Sequence, residues 1–559
     1  MPVLENTEVQ TYAGASPRED KSFHTDVLVV GGGFGGMYAL WKIRQLGFKT
    51  KLFEAGSEFG GTWHWNSYPG ARVDSEMPYY AFSIPEVWKT WNWTERFPSH
   101  EELKRYFRHV DKVLDLSTDA YFNTIVTEAK YDGKTWTVRT RGGRIVWCRY
   151  LILATGSSYK KHIPAMKGLD VYKGKTIHAA DWPRDGLDVR GKRVGVIGNG
   201  ATGVQIVQEL GKQDCELSVF IRTPICALPM RQRILSVEEQ ETSKMVYEFL
   251  YDGCKTSRAG FPFKTPSKGF WEVTLAEREQ RMEEGWSRGG FAFNQGTYRD
   301  FIFDKEANKI FYEFWARKVR KRISDPQKAA IAAPIPQKSW FATKRPSLEQ
   351  DYYDVINQDN VKLVDIKATP IDSFQGNGIL TTEKLHELDV VILATGYDAV
   401  TGSLLDMGLE DKNGISLRQR WKDGVRTYLG LMIPDMPNLF MVYSPQAPTS
   451  FANGPPIIEI QVDWVAQALQ KMQEEGIESI EAQEKSAEEW YAEVKRIGEQ
   501  TLYPSVDSWY MGANIPGKPR ELLLYLGGVN VYAETCSTAL RSWKGFNIER
   551  KASHVRASI

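Results

Sequence analysis

The sequence predicts an α/β protein with two Rossmann-like dinucleotide-binding units, the second inserted into the first, and a further helical insert. Three observations predict it. Two glycine-rich turns each follow a short apolar strand, two Ala-Thr-Gly strand ends bracket the second turn, and a charged stretch with helical apolar spacing fills residues 231–334.

The first turn reads Gly31-Gly32-Gly33-Phe34-Gly35-Gly36 after Val27-Leu28-Val29-Val30. The second reads Gly198-Asn199-Gly200-Ala201-Thr202-Gly203 after Val194-Gly195-Val196-Ile197. In such turns Gly31 or Gly198 tightens the bend, Gly33 or Gly200 lets the backbone approach a pyrophosphate, and Gly36 or Gly203 packs helix on strand. The helix that follows aims its N-terminal amides at the anion. About twenty residues on comes the side chain that reads the adenosine ribose. After the first turn it is Glu54, whose carboxylate accepts from a free 2′-hydroxyl and repels a phosphate. After the second it is Arg222-Thr223, where a guanidinium suits a 2′-phosphate. The chain is therefore expected to hold two different dinucleotides, the second phosphorylated like NADP.

The first unit continues to an apolar strand at residues 150–153 ending in Ala154-Thr155-Gly156. A similar strand at 389–393 ends in Ala394-Thr395-Gly396. The expected partition is a loose arm at 1–20, a first domain of 21–157 with 386–559, a second of 158–232 with 333–385, and a helical subdomain of 233–332. The crossings near 156–165 and 385–398 are expected to act as a hinge. Helices are expected over 236–250, 274–286 and 305–323. The last ends in Arg317-Lys318-Val319-Arg320-Lys321-Arg322, read as a solvated C-terminus complementing the helix dipole rather than a nucleic-acid patch.

Composition narrows the function classes. A net charge of +1 points to neither nucleic acid nor an acidic membrane surface. No apolar run approaches the ~18 residues of a membrane span, and residues 1–20 lack the basic and apolar regions of a secretory signal. The five cysteines (Cys148, Cys215, Cys226, Cys254, Cys536) are scattered and odd in number, which favours a reducing compartment. No close pair suits dithiol redox chemistry. The histidines offer no metal-site spacing. A cytoplasmic monomer acting on a small molecule is expected.

Two further motifs carry chemistry. Gly60-Gly61-Thr62-Trp63-His64-Trp65-Asn66-Ser67-Tyr68-Pro69-Gly70-Ala71-Arg72-Val73-Asp74 combines glycines for close approach, aromatics for a flat ring, and one carboxylate. Tyr172-Lys173-Gly174-Lys175-Thr176-Ile177-His178-Ala179-Ala180-Asp181-Trp182-Pro183 precedes the second turn. This run resembles the type I Baeyer–Villiger monooxygenase fingerprint, an aromatic-x-Gly-x-x-x-His-x-x-x-Trp-Pro pattern between two Rossmann turns. The 60–74 stretch matches that family's longer signature. Tyr172 stands where Phe is usual; Trp182 and Pro183 set the chain apart from the sister flavin-containing monooxygenases. The likeness spans nearly all of residues 20–545 and is strongest to the phenylacetone and cyclohexanone monooxygenase group.

The resemblance implies FAD on the first unit and NADPH on the second. It implies flavin contacts from Thr62, Trp63, Asp74 and Tyr80, and an adenine contact from the Val126 backbone. Lys344, in Phe341-Ala342-Thr343-Lys344-Arg345-Pro346, then joins Arg222 and Thr223 at the 2′-phosphate, and Arg345 is the catalytic cation, held by Asp74. Trp509 becomes a loop residue touching NADP, and Thr449, Ser450 and Phe451 part of the substrate-pocket wall. His178 is read as a buried, hydrogen-bonded residue that fixes the domain junction. The implied reaction is reduction of FAD by NADPH, formation of a C4a-peroxyflavin with dioxygen, and attack on a cyclic or aryl ketone to give an ester or lactone with NADP⁺ and water. The rival readings are an N- or S-oxygenating flavin monooxygenase and a non-catalytic FAD/NADP-binding redox sensor. Mere binding does not require the set Asp74, Lys344 and Arg345.

Overall fold

The computed structural model describes residues 21–264 and 266–551. The loose arm expected at 1–20 lies outside the described residues. Two sheets organise the chain. In the first, Ser22–Val30 runs parallel to Thr50–Phe53 on one side and Ile145–Leu153 on the other, with Val27 level with Thr50 and Tyr150. Ala120–Tyr121 extends one edge. Trp136–Thr140 and Val126–Tyr131 extend the other as an antiparallel meander, and Leu439–Met441 pairs with the end of Ile145–Leu153. Val27, Leu28 and Val29 are fully buried, as a strand covered on both faces requires. The helix Phe34–Arg44 packs on the long helix Gly454–Glu474.

The second sheet is wholly parallel, in the order Val361–Asp365, Cys215–Ile221, Lys192–Ile197, Val390–Leu393, Lys175–His178. This corrects the boundary expected at 385/386, because Val390–Leu393 is a strand of the second sheet rather than the first. The two Ala-Thr-Gly ends explain why. A side chain added at Gly31 would lie 2.3 Å from the Ala154 carbonyl oxygen, and one at Gly198 would lie 2.4 Å from that of Ala394. Each Ala-Thr-Gly segment therefore closes the glycine turn of its own unit. The motif that looked like a return to the first unit is the second unit's own floor.

The two crossings are laced together. The His162 amide donates to the Gly396 carbonyl (2.8 Å) and the Asp398 amide to that of Lys160 (2.8 Å). The Thr155 and Ser403 hydroxyls meet at 2.9 Å, and Lys160 pairs with Asp406 at 2.9 Å.

In the insert, Leu275–Arg288 and Lys305–Arg320 fall where expected. The helix expected over 236–250 is instead two, Val237–Lys244 and Tyr247–Thr256. Val246 leaves helical geometry (φ −116°, ψ 7°), which lets the second helix turn Tyr247 and Tyr251 onto Trp88. The periodicity of the stretch did not register that change of face. The basic run lies in and just after the last turn of Lys305–Arg320 with Arg317 and Lys321 exposed, as expected of a solvated C-terminus, and several of its cations also pair: Arg317 with Glu279, Lys318 with Glu283, and Arg322 with Glu349 and Asp354.

Candidate active site

Both glycine-turn helices start bare. Neither Phe34–Arg44 nor Ala201–Leu210 has a side-chain cap or an acid in its first turn. The ordinary helices Lys305–Arg320 and Leu275–Arg288 are capped by Asp304 and Thr274. Uncapped amides at a helix N-terminus are free donors for an anion. At Gly36 an added Cβ would lie 1.7 Å from the Gly31 carbonyl oxygen, and Gly61 touches Gly33 backbone to backbone. In the second turn nothing lies within 4 Å of a Cβ on Gly200, so that position faces open space.

A cavity of about 430 Å³ opens over the first turn. It gathers Gly31, Gly33, Glu54, Thr62, Trp63, Asp74, Tyr80 and Val126, and from distant sequence Thr202, Arg345, Ser450 and Trp509. Glu54 ends the strand Thr50–Phe53, and its carboxylate accepts from the amides of Gly32 and Gly56. Burial pushes its pKa up, while those amides pull the other way. Trp63 donates its indole N–H to the Tyr80 hydroxyl (3.3 Å), fixing both rings at the cavity edge.

Arg345 and Asp74 form the only ion pair lying on this cavity's wall among the described residues that carries a two-point fork. Nε donates to Oδ2 at 2.8 Å and Nη2 to Oδ1 at 2.9 Å. The third nitrogen, Nη1, donates to the Ser450 carbonyl at 2.7 Å, and the guanidinium stacks 4.8 Å from the Phe291 ring. Burial alone would lower the Arg345 pKa, but the Asp74 carboxylate holds it above the ordinary arginine value. About a quarter of each side chain stays exposed (23% and 28%), toward the cavity both line. The result is a permanent cation with fixed orientation at the cavity wall.

Ser450 is held in the left-handed region (φ 58°), as is Tyr443 (φ 57°). Its amide donates to the Tyr443 hydroxyl (3.1 Å), and its carbonyl accepts from Tyr510 (3.3 Å) as well as Arg345. Such a conformation costs roughly 1–3 kcal/mol and persists because these bonds over-determine it. Tyr443, Tyr510 and Phe291 were not foreseen from sequence; only Tyr510, beside Trp509, had any local signal. Phe451 faces a separate small recess rather than the main cavity. Thr449 corrects the expected wall: it is fully buried and donates to the Ser444 carbonyl at 2.7 Å, so it supports the loop and lines neither the cavity nor the recess.

The helix of the second turn faces the 60–74 motif. Tyr68 donates to Gln205 (2.9 Å), Thr202 to the Tyr68 hydroxyl (3.4 Å), and Gln205 to the Arg72 carbonyl (3.1 Å). Beyond the sheet, Arg222 is exposed and Lys344 half-buried, and neither forms an ion pair among the described residues. Burial, then the neighbouring Arg222 charge, lowers the Lys344 pKa. Asp507 pulls the Lys344 pKa the other way but ion-pairs with Arg520 rather than with either cation, so the two repelling charges lack a directly bonded counter-ion, as suits an anion site.

The 172–183 run touches neither cavity nor recess. His178 ends the strand Lys175–His178, level with Leu393. Its Nδ1 accepts from the Ala180 amide (3.1 Å), which leaves Nε2 to donate to the Gly396 carbonyl (3.2 Å). Burial lowers its pKa, consistent with a neutral ring. A Cβ on Gly174 would lie 2.6 Å from the Asp389 carbonyl oxygen, and the Tyr172 hydroxyl donates to that of Leu388 (3.0 Å). Tyr172→Phe should therefore lower stability by about 1 kcal/mol in denaturant unfolding; an unchanged midpoint would show the hydroxyl idle. Trp182 and Pro183 line a separate groove behind the 64–72 segment.

The fold and site define a class: an oxidoreductase of two nucleotide-binding units. The family model for pyridine nucleotide-disulphide oxidoreductases matches residues 25–246. Within that class the chain is 41% identical to cyclopentanone 1,2-monooxygenase of Comamonas sp., over 94% of this chain and 96% of that one. It is 37% identical to a Baeyer–Villiger monooxygenase of Pseudooceanicola batsensis, over 92% and 94%. The solved structure of Rhodococcus cyclohexanone monooxygenase bound to NADP⁺ superposes with a TM-score of 0.90 at 35% identity, covering 94% of this chain and 99% of that one. The chain belongs to the Baeyer–Villiger monooxygenase family.

Proposed function

We propose that this protein is an FAD-dependent, NADPH-consuming Baeyer–Villiger monooxygenase that inserts one oxygen atom of dioxygen into a cyclic or aryl ketone, giving an ester or lactone. The observation that carries the reading is the Asp74-oriented Arg345 guanidinium on the cavity of the first glycine turn.

The residues fit both cofactors. The bare amides at Gly33–Phe34, the Glu54 carboxylate and the edge-on pair Trp63–Tyr80 suit FAD, with Thr62, Asp74 and the start of Val126–Tyr131 completing the cradle. Open space at Gly200, with Thr202, Arg222, Thr223 and the unpaired Lys344, suits a 2′-phosphorylated dinucleotide. Bound FAD supplies redox and dioxygen chemistry that no side chain here can provide. Arg345 stabilises negative charge on oxygen at the cavity wall, including the charge that develops on the reacting carbonyl. Asp74 fixes the direction of that guanidinium and moderates its field. Trp509, which lines the same cavity as Arg345, contacts NADP there and helps to exclude water. His178 keeps the second unit's floor at Gly396 in place.

The NADPH-binding unit takes in residues 158–232 and 333–396, the FAD-binding unit the remainder outside the 233–332 insert. Among the described residues no helix is long and apolar enough to cross a membrane, and the five cysteines are free; both support a cytoplasmic enzyme.

The test is direct. The purified protein should be yellow, should consume NADPH in response to ketones, and should release ester or lactone detectable by gas chromatography. Sulfoxide from a thioether without any ester would overturn the ketone reading in favour of electrophilic oxygenation.

A further inference from the structure

The nucleotide helix of the second unit, Ala201–Leu210, carries two glutamines one turn apart on one face, Gln205 and Gln208. Each is 5% exposed, and each grips the backbone of a different arm of the Asp74–Arg345 fork. Gln205 Nε2 donates to the carbonyl of Arg72 (3.1 Å), just before Asp74 in the chain. Gln208 Oε1 accepts from the amide of Gln350 (2.8 Å), shortly after Arg345.

Both arms are stiff. On the first, Arg72 donates to Glu95 (3.1 Å) and to the Phe97 carbonyl (3.0 Å), and the Val73 amide to the Pro98 carbonyl (3.2 Å). On the second, Leu348–Glu349 pairs in parallel with Leu228–Pro229. Packed elements of this kind pass a displacement on instead of absorbing it. The helix is also pressed against the first arm. Gly70 has φ 78°, and a Cβ there would lie 2.8 Å from the Gln205 carbonyl oxygen. Tyr68, 7% exposed, donates to Gln205 Oε1 (2.9 Å) and accepts from Thr202 in the first helical turn (3.4 Å). Tyr68 and Asp74 belong to the first unit, Gln205 and Arg345 to the second. The fork and the Tyr68–Gln205 bond therefore cross the same boundary, and only docking of the two units makes both.

From this arrangement we infer that Gln205 and Gln208 are positioning residues for Arg345: one helix holds both arms of the fork and so sets the direction of the guanidinium. This rests on the oxygenation proposed at Arg345. The helix whose start receives the second nucleotide thereby also aims the catalytic cation, which ties oxygen transfer to the docked state of that unit. With the fork misaligned, NADPH, a proton and dioxygen still give NADP⁺, but the second product is hydrogen peroxide in place of ester and water.

The test uses the flavin-loaded enzyme with the best ketone of the screen, and measures ester and hydrogen peroxide formed per NADPH. Misplacing a reacting group by about 1 Å can cost about a hundredfold, so Gln205→Leu and Gln208→Leu should each lower ester per NADPH at least about tenfold, with peroxide making up the balance. Calorimetric titration should find the NADP⁺ dissociation constant of both variants within about twofold of wild type, because the phosphate contacts are untouched. In the Arg345→Lys background, which has no fork to aim, the same changes should cost less than about twofold, since residues acting through one group are not additive. Tyr68→Phe removes a single hydroxyl and should lower ester per NADPH by about threefold. Should the leucine variants lose NADP⁺ affinity, the helix itself has moved and Tyr68→Phe decides; full coupling there overturns the inference. Unchanged ester per NADPH in the leucine variants, or an equal loss in the Arg345→Lys background, also overturns it while the ketone reading stands. No ester from wild type with any ketone overturns both.

Discussion

Arg345→Ala is expected to leave flavin reduction by NADPH intact and to lower ester formation by about a thousandfold or more. Removing a single neutral donor aimed at developing oxyanion charge costs about 10²–10³ in rate. Here a full cation is lost from a partly enclosed wall, and Asp74 is left without the counter-charge that now binds it at two points (2.8 and 2.9 Å). Hydride delivery needs no charge at this position, so anaerobic bleaching of the flavin by NADPH should keep its rate. Arg345→Lys restores the charge but not the fork, nor the third bond to the Ser450 carbonyl, and should recover only part of the activity. If the Ala variant still made ester at a tenth of the normal rate, the guanidinium would have no part in the oxygen-transfer step.

The double variant Arg222→Ala/Lys344→Ala is expected to raise the KM for NADPH by at least about 100-fold and leave that for NADH unchanged. A hydrogen bond to a charged group contributes about 1.5–3 kcal/mol, and two are lost with the 2′-phosphate alone as their partner. The pH dependence carries the same signature. Lys344 has its pKa lowered by burial and by Arg222, so it sheds its proton at a pH below that of an ordinary lysine. Its charge is present below that depressed pKa and lost above it. Affinity for NADPH should therefore fall as pH rises through this value, while affinity for NADH stays flat. Lys344→Arg, which cannot lose its proton, should remove the fall. A parallel decline for both nucleotides would place the phosphate site elsewhere.

How much of this was legible beforehand depended on the range of the interactions. The glycine turns, their strands and Glu54 were legible because each lies within one strand-turn-helix stretch, where φ values and helix starts are local matters. The split at Val246 was not, because Tyr247 and Tyr251 turn toward Trp88, far back in the chain. Ala394-Thr395-Gly396 was legible as a strand end but assigned to the wrong sheet, since its role appears only once its carbonyl is seen against Gly198. Thr449 and Ser450 are adjacent and both polar, yet the first is buried in its own loop and the second faces the cavity. The left-handed turn at Ser450 separates them.

By itself the sequence determined that two nucleotides of different charge are held by two turns of one design, because glycine placement and a ribose-reading side chain act within some twenty residues. Only the tertiary structure decided that Asp74 and Arg345, 271 positions apart, meet as a fork, and that Gln205 and Gln208 of one helix reach both of its arms. Such contacts arise from the packing of separate elements, whose side chains carry no mark of the partner they will find.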